Sequence, residues 1–484
     1  MPEIQKKLNE LVETARLKFD APSISTAITV NGQDFYYAAG FSDVECEVKA
    51  QTGSVYAIAS SSKAFIATSL CMLAEENKLD LDYPVKKYLP DFAMYDPYMT
   101  EHLTIRDALS HRTGLPRHDL TWYNATAGTV YDTVKMLEYL PPAFPPRYRM
   151  HYQNHMFTLA TVLTEKISQM PWQDFLKKRI FDPLGMTSTY ATGDMLPEEN
   201  PLKARPYKQM DGKTIRIPYR YITNLGCCGS IYSTVEDLIK WAKFNLYGDE
   251  GLLSGKYLTE LHMPHMVIKP GDFSPTDLSP EVDLTSYGMG WFIESYRGHK
   301  MVHHGGTIDG FKSIVGMLPN DDIGFAVLSN LNRNQSPMAL AYSITDMLLN
   351  LPPVDWNAKI TAEFDKQNQT ALVKLNETKE LIQKRKTECL CLNDYAGEYS
   401  HPAYGRIRFD VGERGLELKL NIPDSPFPAE YIGGDEFVFV FDTLPDPSEL
   451  LTPFCFERDE NKTVSAVNMY LEEKINVPIR LEKI

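Results

Sequence analysis

Near residue 393 the chain changes texture, and that change constrains its fold more than any other feature. Beyond it, short runs such as "RIRFDV", "LELKLN", "EFVFVF" and "VPIRLEKI" follow one another between turn residues. Leu416, Leu418 and Leu420 alternate with Glu417, Lys419 and Asn421, the period-2 mark of a strand buried on one side. About eight such runs in the last ~90 residues predict a small antiparallel barrel. The preceding part needs a core of its own, because 484 residues exceed what one ordinary core serves.

Upstream the pattern mixes strands and helices. "SISTAITV" and "QDFYYAAGFSD" flank Asn31-Gly32, a strong hairpin signal. A helix is expected over 61–77, a short one near 104–110, and others over 152–169 and 171–180. Another begins at "STVEDLIKWAKFNL", where Ser233 and Glu236 have capping-box spacing. Strands follow at 289–296, 311–318 and 323–329, then a helix over 336–349. Strands, a helical insertion, strands and a closing helix read as an α/β (α+β) unit with a helical lobe. The expected units are residues 1–352, a helical linker over 353–392, and the all-β barrel over 393–484.

A net charge of −15 argues against a nucleic-acid partner. There is no run of about 18 apolar residues to span a bilayer, and the amphipathic first 20 residues lack the features of a secretory signal. The seven cysteines include an adjacent pair, Cys227-Cys228, and a pair one residue apart, Cys389 and Cys391. Neither suits a disulfide framework or a C-x-x-C zinc site, so free thiols in a reducing, cytoplasmic compartment are expected. No cofactor or metal is expected; His151 and His155 stand i, i+4 without an obvious third ligand.

Three stretches carry chemistry. In "IASSSKAF", Ser60 and Lys63 stand three apart, so a helix places them on one face. A serine at a helix start faces backbone N–H groups, and a nearby amine can take its proton. A polar helix start with a solvated lysine has the same spelling. In "MHYQNHMF", Tyr152 is a phenol able to relay a proton, and Asn154 an amide able to hold a lysine and a substrate carbonyl. In "VHHGGTIDGF", His304 precedes Gly305 and Gly306, whose missing side chains let a backbone or a substrate approach closely. A packed tyrosine and a Gly-rich turn are the plain readings of these two.

Together and in this order, Ser60-x-x-Lys63, Tyr152-x-Asn154 and His304-Gly305-Gly306 resemble the serine β-lactamase and DD-peptidase superfamily, closest to its class C β-lactamase-like branch. "ALSHRTGLPRHD", "DPLGMTST" and "GSIYSTVEDLIKWAKF" look like framework segments of that family, over roughly residues 5–350. The resemblance implies a β-lactamase-like domain, an antiparallel sheet flanked by helices, with a lipocalin-like barrel behind it. It implies Ser60 as the nucleophile of an acyl-enzyme, Lys63 and Tyr152 in proton transfer, and Asn154 positioning Lys63. It further implies His304 in the catalytic set, Gly305 and Gly306 against substrate, and an oxyanion hole from the backbone N–H groups of Ser60 and Thr307.

Penicillin-recognising members usually carry Lys-Thr-Gly where this chain has His304-Gly305-Gly306, which leaves efficient β-lactam hydrolysis without its cation and hydroxyl. The expected activity is hydrolysis of amide or ester bonds in small substrates, as a peptidase, D-amino-acid-specific or not, or an esterase. An acyltransferase or peptide cyclase shares the acyl-enzyme, and a scaffold that has lost catalysis is the non-enzymatic alternative. Pocket walls are expected from 85–150, 190–225 and 265–285. The barrel would either cover the site mouth or build a homo-oligomer interface.

Overall fold

Asn31 and Gly32 take left-handed backbone angles, φ 49° and 75°, as a two-residue turn between right-twisted strands demands. They join β1 (Ser23–Val30) to β2 (Gln33–Asp43), the expected hairpin. The computed structural model describes residues 2–124, 128–210, 212–269, 280–384, 391–421, 425–440, 451–472, 475 and 477–484. Seven further strands extend the hairpin into a nine-stranded antiparallel sheet. They are β3 (Val48–Lys49), β4 (Met266–Val267), β5 (Val282–Tyr287), β6 (Phe292–Tyr296), β7 (His299–Ile308), β8 (Phe311–Leu318) and β9 (Ile323–Ser329). The order is β3-β2-β1-β9-β8-β7-β6-β5-β4. The first and last of these strands thus lie side by side, Ala27 opposite Ala326.

The sheet is buried on both faces, which is why β8 and β9 read as continuous apolar runs rather than alternating ones. On one face Ile24, Ile28, Phe325 and Val327 meet Leu8 and Val12 of α1 (Pro2–Lys18) and Leu340 and Ile344 of α5 (Ser336–Leu349). The other face, with Ala27, Val315, Ala326 and Leu328, packs toward the helical lobe: α2 (Lys63–Glu75), α3 (His155–Ser168) and α4 (Val235–Tyr247). Phe65 of α2 stacks on Trp241 of α4 at 4.0 Å between ring centroids. Such a pair contributes about 0.5–1.5 kcal/mol beyond its buried area. The cap of α4 differs from the sequence expectation. Thr234, not Ser233, is the N-cap, its hydroxyl accepting from the Asp237 N–H at 3.1 Å. Ser233 is spent on a two-residue strand pairing with Tyr56.

After α5 a single helix, α6 (Trp356–Lys384), leads to eight strands that close into a barrel between Gly397 and Lys483. Each strand pairs with the next in sequence, and the first closes on the last, Tyr399 opposite Lys483. Leu416 and Leu418 are buried in it as their alternation predicts, with Lys419 outside, whereas Glu417 is covered too, beside Arg414. Cys389 lies outside the described residues. The described cysteines are all free thiols, and no described helix is long and apolar enough to cross a membrane.

Candidate active site

The approach to α2 sets the geometry. Ala59 takes φ 47°, a left-handed angle that a β-carbon resists, and a tight turn over Ala59–Ser62 follows. That turn presents Ser60 half-exposed while Ser61, Ser62 and Lys63 are buried. The two other serines are not helix caps. Ser61 donates to the His304 carbonyl at 2.9 Å and meets the Ser313 hydroxyl at 2.9 Å. Ser62 donates to the Ala59 carbonyl at 2.6 Å and accepts from the Ile231 N–H at 3.2 Å. They pin the turn that carries Ser60 to β7, β8 and the segment before α4.

Gly306 makes this pinning feasible. A β-carbon there would stand 2.0 Å from the Ile58 carbonyl oxygen and 2.5 Å from Ser313 Oγ. Its missing side chain therefore serves a neighbouring backbone. At Gly305 the nearest atom to such a carbon is the Ser313 carbonyl oxygen, at 3.5 Å, so that position has room beside it.

Lys63 Nζ makes three hydrogen bonds: to Ser60 Oγ at 3.1 Å, to Asn154 Oδ1 at 2.9 Å and to the Cys228 carbonyl at 2.9 Å. The side chain is fully buried, and no described carboxylate pairs with it. Its nitrogen also lies 5.0 Å from the centroid of the Tyr152 ring. Tyr152 is 5% exposed, in a box of His111, Phe292 and His304, with the Arg117 guanidinium 5.5 Å from its ring. Asn154 stands just before α3, so the helix end and the Lys63 amine are fixed to each other.

His304 is 1% exposed and both its nitrogens are engaged. The Gly305 carbonyl can only accept, so Nδ1 donates to it at 2.6 Å, and Nε2 is left to accept from the Tyr287 hydroxyl at 2.9 Å. Burial, and next the charge of Lys63, hold it well below the usual histidine range. His111 is depressed for the same reasons. A histidine held in this way stays neutral at physiological pH and has no nitrogen left for a substrate.

Several contributors escape sequence reasoning. Asp119 Oδ1 accepts from Asn154 Nδ2 at 3.0 Å and from Trp122 Nε1 at 2.8 Å, while Oδ2 accepts from Arg117 Nε at 2.6 Å. This fixes the Asn154 amide with its oxygen toward Lys63. The Cys228 contribution is a main-chain oxygen, which no residue type announces. Gly226 shapes that segment, with φ 58° and the Thr161 side chain where a β-carbon would be. At the rim, Arg220 Nε donates to Asp309 at 2.6 Å and the Tyr123 hydroxyl donates to the same carboxylate at 3.3 Å. Of the expected walls, 85–150 and 190–225 supply these residues, and part of 265–285 lies outside the described residues.

The barrel leans on the same segment. The Tyr404 hydroxyl donates to His118 Nδ1 at 2.7 Å, since the other ring nitrogen donates to the Pro141 carbonyl at 3.0 Å. Asn124 donates to the Tyr404 and Arg406 carbonyls at 3.0 and 3.1 Å and accepts from the Asn421 N–H at 2.8 Å. Residues 118–124 thus touch the barrel on one side and, through Asp119, the Asn154–Lys63–Ser60 chain on the other. Among the described residues no group of three or more His, Cys, Asp or Glu side chains could hold a metal ion.

The model of the beta-lactamase family matches residues 8–347. The chain is 26% identical to the unguisins hydrolase of Aspergillus campestris over 96% of this chain and 89% of that one. It is 26% identical to protein flp of Staphylococcus aureus over 71% of this chain and 66% of that protein. Among solved structures, the octameric penicillin-binding protein homologue from Pyrococcus abyssi superposes with a TM-score of 0.63 at 21% identity, covering 99% of both chains. A D-amino acid amidase from Ochrobactrum anthropi SV3 superposes at 0.61 with 23% identity, over 72% of this chain and 98% of that one. At such identities these likenesses establish the fold alone.

Proposed function

The chain belongs to the beta-lactamase family, a serine hydrolase of that fold, and from this premise we propose that it cleaves amide bonds of small peptide-like substrates through an acyl-enzyme on Ser60. The observation that carries the reading is the three-way hydrogen bonding of Lys63. As an ammonium it donates to Ser60 Oγ, Asn154 Oδ1 and the Cys228 carbonyl. As a neutral amine it keeps the last two and accepts the Ser60 proton along the first. From the neutral amine, one proton moving along the Oγ–Nζ line turns the Ser60 hydroxyl into the nucleophilic alkoxide and Lys63 into the ammonium, with no other rearrangement.

In this reading Asn154, oriented by Asp119, holds the amine in line. Tyr152 carries a proton toward the leaving nitrogen, and the backbone N–H groups of Ser60 and Thr307 stabilise the oxyanion, each donor being worth about 3 kcal/mol of barrier. His304 forms a neutral wall behind Tyr152 and takes no part in proton transfer. Amide substrates are favoured over esters because the fold neighbour is an amidase, and a relative aligned over most of the chain is a hydrolase. Peptidase action on D- or L-residues is the finer form of the same proposal. The reducing, cytoplasmic setting inferred from the cysteines is compatible with it.

The test is the intact mass after exposure to an uncharged fluorophosphonate. One adduct is expected on the wild type and none on Ser60→Ala. Equal labelling of both proteins, or of neither, would overturn the reading.

A further inference from the structure

A helix of five residues, Leu120–Asn124, does not hold itself in place, because a single turn fixes more dihedral angles than its hydrogen bonds repay. Its position is decided by what it is tied to, and it is tied on three sides. Toward α3, Asp119 Oδ1 accepts from Asn154 Nδ2 at 3.0 Å, and the Thr121 hydroxyl meets His155 Nε2 at 3.0 Å. The one Thr121 proton goes to the His118 carbonyl at 2.6 Å, so His155 is the donor in that pair. Toward the end of β7, the Tyr123 hydroxyl donates to Asp309 at 3.3 Å, and the Arg220 guanidinium stands 4.7 Å from the Tyr123 ring. Asp309 is two residues beyond Thr307, the proposed oxyanion donor.

The third side is the barrel, and Asn124 grips it. Its Nδ2 donates to the Tyr404 and Arg406 carbonyls at 3.0 and 3.1 Å, and its Oδ1 accepts from the Asn421 N–H at 2.8 Å. The side chain is 6% exposed and commits both N–H bonds and one lone pair to barrel main chain. Between Asn124 and Asp119 the turn is stiff. The Trp122 and Tyr123 amides donate to the Asp119 carbonyl at 3.2 and 3.0 Å, and Trp122 Nε1 donates to its carboxylate at 2.8 Å. The Trp122 and Tyr123 rings stack at 4.0 Å. A carboxylate held at one end of such a turn shifts when the other end is released.

We propose that Asn124 is a positioning residue for the Ser60 chemistry. The barrel, held by this carboxamide, fixes the Leu120–Asn124 turn. The turn fixes Asp119, and Asp119 fixes Asn154 and the Lys63 amine in line with Ser60 Oγ. This rests on the Ser60 reading, because the quantity it controls is the activation of that hydroxyl. Asn124 lies buried beneath the barrel and touches no substrate, so its effect falls on rate and not on affinity. Adhesion between the two domains, by contrast, would lower stability and leave the rate alone.

The experiment measures inactivation of the full chain by an uncharged fluorophosphonate, read from intact mass and resolved into kinact and KI. In Asn124→Ala, kinact should fall by about threefold to thirtyfold with KI unchanged, the span over which a residue that contacts no ligand alters coupling between sites. Tyr404→Phe, which removes another barrel hydrogen bond to the same segment but leaves Asn124 intact, should keep kinact within about twofold of wild type. The double variant Asp119→Ala with Asn124→Ala should be no slower than Asp119→Ala alone by more than about twofold, since one acts through the other. Melting temperatures show which variants fold; should Asn124→Ala not fold, Asn124→Ser carries the comparison. A wild type that takes no label overturns the Ser60 reading and this one with it. A wild type that labels while Asn124→Ala keeps its kinact overturns the role of Asn124 alone, as do losses that multiply in the double variant. A fall in Tyr404→Phe as large as in Asn124→Ala would also overturn it, by assigning the effect to docking of the barrel at large.

Discussion

The barrel and the site are built by opposite strategies. In the barrel each strand pairs with its neighbour in sequence from Gly397 to Lys483, so every contact closes a short loop and its pattern is written locally. The site around Ser60 collects groups from residues near 60, 119, 154, 228 and 304, brought together between one face of the sheet and the helical lobe. Local structures tolerate local change. A site assembled from distant segments depends on each crossing contact, and those contacts are few and polar. The two regions meet at residues 118–124, which makes the comparison testable.

The largest effect is expected at the centre of the site. Ser60→Ala or Lys63→Ala should lower kcat/KM on an amide substrate by at least about a thousandfold while leaving the melting temperature near wild type. A fall under tenfold in either would mean that the local reading of Ser-x-x-Lys as a plain helix start was right. Next comes Gly306→Ala. Its β-carbon would meet the Ile58 carbonyl oxygen at 2.0 Å, so the turn that carries Ser60 must move away from β7. Both activity and stability should drop, with a destabilisation of about 1–3 kcal/mol in a denaturant titration.

Asp119→Ala should reduce kcat by about tenfold to a hundredfold through loss of one charge-assisted hydrogen bond to Asn154. Asp119→Asn, which keeps an acceptor oxygen, should recover part of it. Equal damage in both variants, with a matching loss of stability, would reduce Asp119 to a packing role. Tyr404→Phe removes the barrel's hydroxyl from His118 and should cost about 1 kcal/mol of stability with little change in kcat. A large change in kcat would show that the barrel tunes the site.

The pH dependence completes the series. His118 is buried and its pKa is depressed to about 3, so the unfolded chain takes up a proton there before the folded one does. Its stabilising contribution is present above the ordinary histidine range and is lost progressively as pH falls from about 6.5 toward 3. Thermal melts from pH 8 to 4 should show that decline.

Much of the fold was legible because it rests on short-range rules. The Asn31-Gly32 turn, the alternation at Leu416 and Leu418, and the apolar run of α2 each report a local geometry. The α4 cap slipped by one residue because Ser233 was claimed by a strand pairing with Tyr56, a long-range contact with no local trace. In the site, Ser60, Lys63 and Asn154 announced themselves by residue type and spacing, whereas Asp119 and the Cys228 carbonyl did not. A carboxylate three places from a tryptophan has no signature, and a backbone oxygen has none at all.

The sequence by itself therefore determined the elements, the barrel's meander and the order of the motif residues, since each depends on the periodicity and chemistry of neighbouring residues. Tertiary structure alone decided the state of His304 and the face on which Lys312 stands. His304 is neutral because packing buries it beside Lys63 and closes both its nitrogens. Lys312 stands on the sheet face of Ile24 and Ile314, away from the Ser60 turn, because antiparallel register sets it across from Thr307 and Ser329. Desolvation and cross-strand register are properties of what surrounds a residue, and a chain acquires them only when it folds.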